Sequence, residues 1–100
     1  MDVLVQFVKM DTSEFMESFA IKKIKKLAKR YGDIMKSEVF YKLEKDPKGK
    51  GKICEIQLSL PGPRIYAVSN EESFQEATDE TINDLEKQLE KRKKELKPYS

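Results

Sequence analysis

Two stretches of this chain space their apolar residues three and four apart, four shorter stretches space them two apart, and that switching of period permits few architectures. Residues 3–8 read Val-Leu-Val-Gln-Phe-Val, with Val3, Val5 and Phe7 on one parity and Gln6 on the other, as a half-buried strand requires. Helical spacing follows in Met16, Ala20, Ile24, Leu27, Ala28 and Tyr31. Asp11, Thr12 and Ser13 offer oxygens to that helix's first amides, with Glu14 three positions after Asp11. Gly32 stands where a left-handed terminating residue is wanted. Within 34–45, Val39, Tyr41 and Leu43 oppose Glu38, Lys42 and Glu44, and Phe40 breaks the alternation. Lys45 to Lys52 mixes Pro47, Gly49 and Gly51 with repeated charge and predicts a hairpin loop with nothing buried. Cys54, Ile56, Leu58 and Leu60 then alternate with Glu55, Gln57 and Ser59. Pro61-Gly62-Pro63 forces a turn before a last strand, Ile65 to Ser69. Ser69 or Asn70 is the expected cap of a final helix reaching about Leu96, before Pro98, with Phe74, Thr78, Ile82, Leu85, Leu89 and Leu96 as its inward stripe.

The order β-α-β-β-β-α implies an α+β fold. Strands one and two are joined by a right-handed parallel crossover, and an antiparallel meander completes a four-stranded mixed sheet. Both helices are expected on one sheet face, leaving Gln6, Phe40, Lys42, Gln57 and Tyr66 on the other. At 100 residues the chain supports one core, so residues 1–97 are read as a single domain and 98–100 as a short tail.

Composition narrows the chemistry. Cys54 is the single cysteine, which rules out an internal disulfide and a thiolate metal cluster and suits a reducing compartment. With no histidine, the commonest general base and metal ligand is missing, so no enzyme activity, metal or cofactor is expected. No apolar run reaches signal-peptide or membrane-span length, which points to the cytoplasm and away from a membrane partner.

The net charge of +2 conceals a segregation of sign. Lys22, Lys23, Lys25, Lys26, Lys29 and Arg30 are six bases within nine positions, free of acids. Seven acids and no base occupy Glu71 to Glu86. Beyond them come Lys87, Lys91, Arg92, Lys93, Lys94 and Lys97. On a helix the first block spans an arc of roughly 160° opposite the apolar stripe, and Lys87, Lys91 and Lys94 form a second outward ridge. Helices lying side by side would merge the ridges into one cationic surface, to which phosphates would add salt-dependent affinity. The acid block, Glu71, Glu72, Glu76, Asp79, Glu80, Asp84 and Glu86, matches no calcium loop and complements the helix dipole, while repelling RNA from one end.

Four linked segments resemble the ribosome hibernation promoting factor and ribosome-associated inhibitor family over nearly all of Met1 to Leu96. They are Ile24-Lys-Lys-Leu-Ala-Lys-Arg-Tyr-Gly-Asp-Ile34, Ser37-Glu-Val-Phe-Tyr-Lys-Leu-Glu44, Ser73-Phe-Gln-Glu-Ala77 and Asp84-Leu-Glu-Lys-Gln-Leu-Glu-Lys-Arg-Lys-Lys94. The resemblance implies the same element order, similar to a double-stranded RNA-binding domain with an added first strand. It implies a translational silencer of stationary-phase and stressed cells that lodges in the decoding channel of the small ribosomal subunit. Lys22, Lys23, Lys25, Lys26, Lys29 and Arg30, with Lys87, Lys91, Arg92 and Lys94, would then meet ribosomal RNA phosphates, with no small-molecule substrate and no obligate homodimer. The short length points to the promoting type, which favours paired, inactive ribosomes. Many members have glycine and a basic residue after strand one, where this chain has Val8-Lys9, and their histidines in strand four and the last helix are absent here. The competing expectation is a protein interaction module that touches no RNA.

Overall fold

The computed structural model describes residues 1–95, so Leu96, Lys97 and the expected tail lie outside the described residues. The elements are β1 (Asp2–Val8), α1 (Glu14–Arg30), β2 (Lys36–Leu43), β3 (Lys52–Ser59), β4 (Ile65–Glu71) and α2 (Phe74–Glu95). They form the expected four-stranded mixed sheet in the order β1-β2-β3-β4. Its first pair is parallel, with Val5 opposite Val39, and the other two are antiparallel, with Tyr41 opposite Cys54 and Ile56 opposite Ala67.

One sheet face is dry because one parity of every strand is apolar. Val39, Tyr41, Cys54, Ile56, Leu58, Ile65 and Ala67 are buried there, beneath Ala20, Ile24 and Leu27 of α1 and Ala77, Leu85 and Leu89 of α2. Tyr41 lies at the centre. Its ring stacks on Phe7 with centroids 5.3 Å apart, meets Phe74 edge-on at 5.4 Å, and its hydroxyl lies 2.7 Å from Thr78 Oγ1. Thr81, also fully buried, donates to the Cys54 carbonyl at 2.9 Å and to the Ala77 carbonyl at 2.8 Å, tying α2 to β3. Thus both buried threonines are satisfied, as burial demands.

Several local expectations are corrected. Ser13 alone caps α1, its Oγ accepting from the Met16 amide at 3.2 Å. Gly32 takes no left-handed conformation; α1 closes when the Tyr31 amide donates to the Leu27 carbonyl at 3.1 Å. Among the described residues the one non-glycine at positive φ is Lys9, at 54°, directly after β1. Strand β4 continues through Ser69 and Asn70 to Glu71, because these still pair with β3, and Ser73 caps α2 by accepting from the Glu76 amide at 3.1 Å. Glu71 and Glu72 therefore precede the helix rather than filling its first turn. Leu43 is 55% exposed despite sharing the parity of Tyr41, since it ends its strand at the margin of the core.

The hairpin loop also contains a buried residue, Gly51. Its amide donates to Asn70 Oδ1 at 2.7 Å, and its carbonyl accepts from the Glu44 amide at 2.9 Å. At φ 128° only glycine is comfortable, and a Cβ there would stand 2.1 Å from the Glu44 carbonyl oxygen. Gly51→Ala is expected to cost about 2 kcal/mol through strain and backbone displacement, read as a lower urea midpoint with an unchanged slope.

Candidate nucleic-acid interface

The two helices lie side by side over the sheet, held by polar contacts across their seam. Lys23 Nζ is 3.0 Å from Asp79 Oδ1, Arg30 Nη1 donates to Glu86 Oε2 at 3.2 Å, and the Tyr31 hydroxyl donates to Glu90. Lys23 and Arg30 advance along α1 as Asp79 and Glu86 advance along α2, so the helices run in the same direction. The two ion pairs are half-exposed, and such pairs are each worth only about 0.2–1 kcal/mol. Their larger effect is on the potential, because they neutralise two of the expected site cations.

The ten sequence-nominated residues thus divide by what they touch. Lys23 and Arg30 face the acidic seam. Arg92 is half-buried and donates to the Pro63 carbonyl at 2.7 Å, bracing the β3–β4 turn against α2. Lys22, Lys25, Lys26, Lys29, Lys87, Lys91 and Lys94 are exposed and, among the described residues, enter no ion pair. At about 100° per residue, Lys22, Lys26 and Lys29 lie within an arc of about 60° opposite the buried Ala20, Ile24 and Leu27. Lys87, Lys91 and Lys94 span a similar arc of about 60° opposite Leu85 and Leu89. Both ridges therefore point away from the sheet on the same side of the molecule. They do not merge fully: Asp79, Glu86 and Glu90 lie in the seam between them, which gives two cationic ridges flanking a neutralised groove.

These acids were read from sequence as dipole complements and RNA repellents, and their pairing across the seam was missed. Nothing local could have revealed it, since Arg30 and Glu86 are 56 residues apart and Tyr31 and Glu90 are 59 apart. The Tyr31 hydrogen bond, followed by the charges of Lys93, Arg30 and Lys94, holds the Glu90 carboxyl below its ordinary value. The same bond, reinforced by burial, raises the Tyr31 phenol. A depressed carboxyl stabilises the fold above the ordinary carboxylate range and loses that contribution as pH falls through its folded value; a raised phenol keeps its contribution until pH climbs past 10. Tyr31→Phe is therefore expected to lower the urea midpoint at pH 7, with the difference from wild type shrinking at pH 3.

The remaining chemistry is sparse. Burial pushes the Cys54 thiol up to about 11, so it is a core residue rather than a nucleophile. Among the described residues no cluster of three metal-ligating side chains occurs, and no helix is long and apolar enough to cross a membrane.

Comparison with known proteins agrees with this architecture. No curated protein matches the chain. A ribosomal subunit interface protein from Coxiella burnetii superposes with a TM-score of 0.82 at 24% identity, over 93% of this chain and 98% of that one. The N-terminal domain of Thermus thermophilus Protein Y superposes with a TM-score of 0.76 at 24% identity, over 91% of this chain and 98% of that one. At that identity the likeness speaks for the fold. The family model described as Sigma 54 modulation protein / S30EA ribosomal protein matches residues 3–97, and with that match the chain belongs to this family of ribosome-associated factors.

Proposed function

We propose that this protein is a cytoplasmic silencer of translation that occupies the decoding channel of the small ribosomal subunit and so promotes ribosome hibernation in stressed or stationary cells. The observation that carries this reading is the pair of lysine ridges. Seven exposed helix lysines have no acidic partner among the described residues: six form the two outward ridges, and Lys25 lies at the flank of α1 beside the β1 edge. Lysines stacked at helical spacing repel one another by a few tenths of a kcal/mol per pair, and a polyanion relieves that repulsion. The two ridges would track ribosomal RNA phosphates on either side of the seam, with Lys22, Lys25, Lys26 and Lys29 on one flank and Lys87, Lys91 and Lys94 on the other. Lys23, Arg30 and Arg92 would act chiefly by holding the helices and the β3–β4 turn in register. No bond is made or broken; occupancy excludes messenger and transfer RNA. The structural relatives, described as a ribosomal subunit interface protein and Protein Y, fit such a location.

A competition experiment tests the channel itself. Small subunits loaded with messenger and transfer RNA should bind this protein at least tenfold more weakly than empty subunits. Equal binding to loaded and empty subunits would overturn the channel reading while leaving ribosome association intact.

The uncovered sheet face supports a second reading, that of a protein interaction module. Leu4, Tyr66 and Val68 are each exposed by nearly half, and the charges beside them are self-paired as Lys36–Glu38 and Lys42–Glu55. Under that reading, glutamate at Lys25, Lys26 and Lys29 leaves partner binding unchanged.

A further inference from the structure

We propose that the cleft where the C-terminal halves of α1 and α2 meet the β3–β4 turn binds one nucleoside 5′-phosphate unit. The base would lie on its apolar floor and the phosphate on its cationic rim. The cleft encloses about 290 Å³, at the lower end of small-molecule sites, which range over about 300–1,000 Å³. That suits one nucleotide rather than an extended cofactor. Its floor is Leu60, Pro61 and Leu89, with the Tyr31 ring beside them, and its rim carries Arg30, Arg92 and Lys93. Gly32 also lines the cleft, and a Cβ there would meet nothing within 4 Å.

Each feature answers to one part of a nucleotide. An apolar floor accepts the face of a base. Guanidinium groups bind phosphate through paired N–H donors; Arg92 gives Nη1 to the neutral Pro63 carbonyl and keeps its full charge and other nitrogens, while Arg30, its charge offset by Glu86, contributes its remaining N–H donors. Those bonds, with Tyr31 anchored on Glu90, fix the walls in place before any ligand arrives. Lys93 enters no ion pair among the described residues and adds a mobile third cation. Asp33, exposed at the mouth, accepts from ribose hydroxyls or an exocyclic amino group. A splayed nucleotide of single-stranded RNA could supply the unit, as could a free mononucleotide. The RNA source rests on the ribosomal reading above; the free source does not.

Backbone amide NMR with adenosine 5′-monophosphate, adenosine, inorganic phosphate and a tetra-adenylate strand tests the site. The monophosphate should shift Tyr31, Gly32, Asp33, Leu60 and Leu89, and bind at least tenfold more tightly than adenosine or phosphate alone. Gly32→Trp, which adds an indole to the cleft lining at a position where a Cβ meets nothing within 4 Å, should weaken it at least tenfold, and Lys93→Gln about threefold. Tetra-adenylate binding tenfold tighter than the monophosphate identifies RNA as the source; equal affinity identifies the free nucleotide. The quadruple variant with glutamine at Lys22, Lys25, Lys26 and Lys29 should bind ribosomes at least tenfold more weakly yet keep the monophosphate shifts, which separates the two hypotheses. The proposal is overturned if millimolar monophosphate moves none of these amides, or if both Gly32→Trp and Lys93→Gln bind it as wild type does.

Discussion

Glutamine at Lys22, Lys25, Lys26 and Lys29 together is expected to flatten the salt dependence of ribosome binding while leaving the fold intact. Six ridge lysines and Lys25, each neutralising a phosphate, give a slope of log affinity on log salt of about −5 to −6, a loss of roughly a thousandfold or more between 50 and 200 mM. Three remaining lysines give a slope of about −2 to −3, and a loss of roughly 20- to 60-fold over the same range. The four side chains are exposed and touch no acid among the described residues, so their removal takes away repulsion rather than support. The thermal transition should accordingly hold or rise by a degree or so. Glutamine at Lys23 and Arg30 provides the contrast: those side chains already face Asp79 and Glu86, and losing them should change the slope far less than losing any two ridge lysines. Filter binding at several salt concentrations reads both effects.

The largest expected loss of stability comes from Tyr41→Ala. The side chain is fully buried between Phe7, Phe74 and Thr78, so one truncation loosens β1, β2 and α2 together. Removing a buried aromatic ring costs about 3–5 kcal/mol through lost burial and the cavity left behind. That is a large share of the stability of a domain this size. Tyr41→Phe isolates the hydroxyl. Thr78 keeps its bond to the Phe74 carbonyl at 2.6 Å, so only one buried hydrogen bond is lost, at about 1–1.5 kcal/mol. Urea denaturation of the two variants therefore separates ring from hydroxyl. Equal losses would mean that the ring contributes little and that the aromatic cluster is not the centre of the core.

The fold was legible because its determinants are periodic and local. Alternation along β2 and β3 marked the buried parity, and three-and-four spacing marked Ala20, Ile24 and Leu27 as inward, which left the lysines of α1 outward by geometry alone. What misled were single residues read by type. Gly32 looked like a left-handed terminus, yet α1 closes through the Tyr31 amide and Gly32 has no positive φ. Ser69 and Asn70 looked like caps, but pairing with β3 outweighs a cap that Ser73 can supply equally well. The candidate interface was legible in part. Sequence nominated ten cations as equivalent, while the structure separates seven outward lysines from Lys23, Arg30 and Arg92, which brace the scaffold. For Lys23 and Arg30 that distinction depends on acids more than fifty residues away, and for Arg92 on a carbonyl in the β3–β4 turn, none of which helical spacing can reveal. The cleft bounded by Arg30, Leu60 and Arg92 was likewise invisible, since it is assembled from three separate elements.

The central claim is that two helix faces on one side of the molecule present a phosphate-binding surface to the small ribosomal subunit. Sedimentation with purified small and large subunits, at 50 and 300 mM salt, tests it most directly. The account expects wild type to pellet with small subunits at 50 mM, to be released at 300 mM, and to require Lys22, Lys25, Lys26 and Lys29. Failure to pellet with small subunits at low salt, or pelleting that survives both high salt and loss of those four lysines, would contradict it.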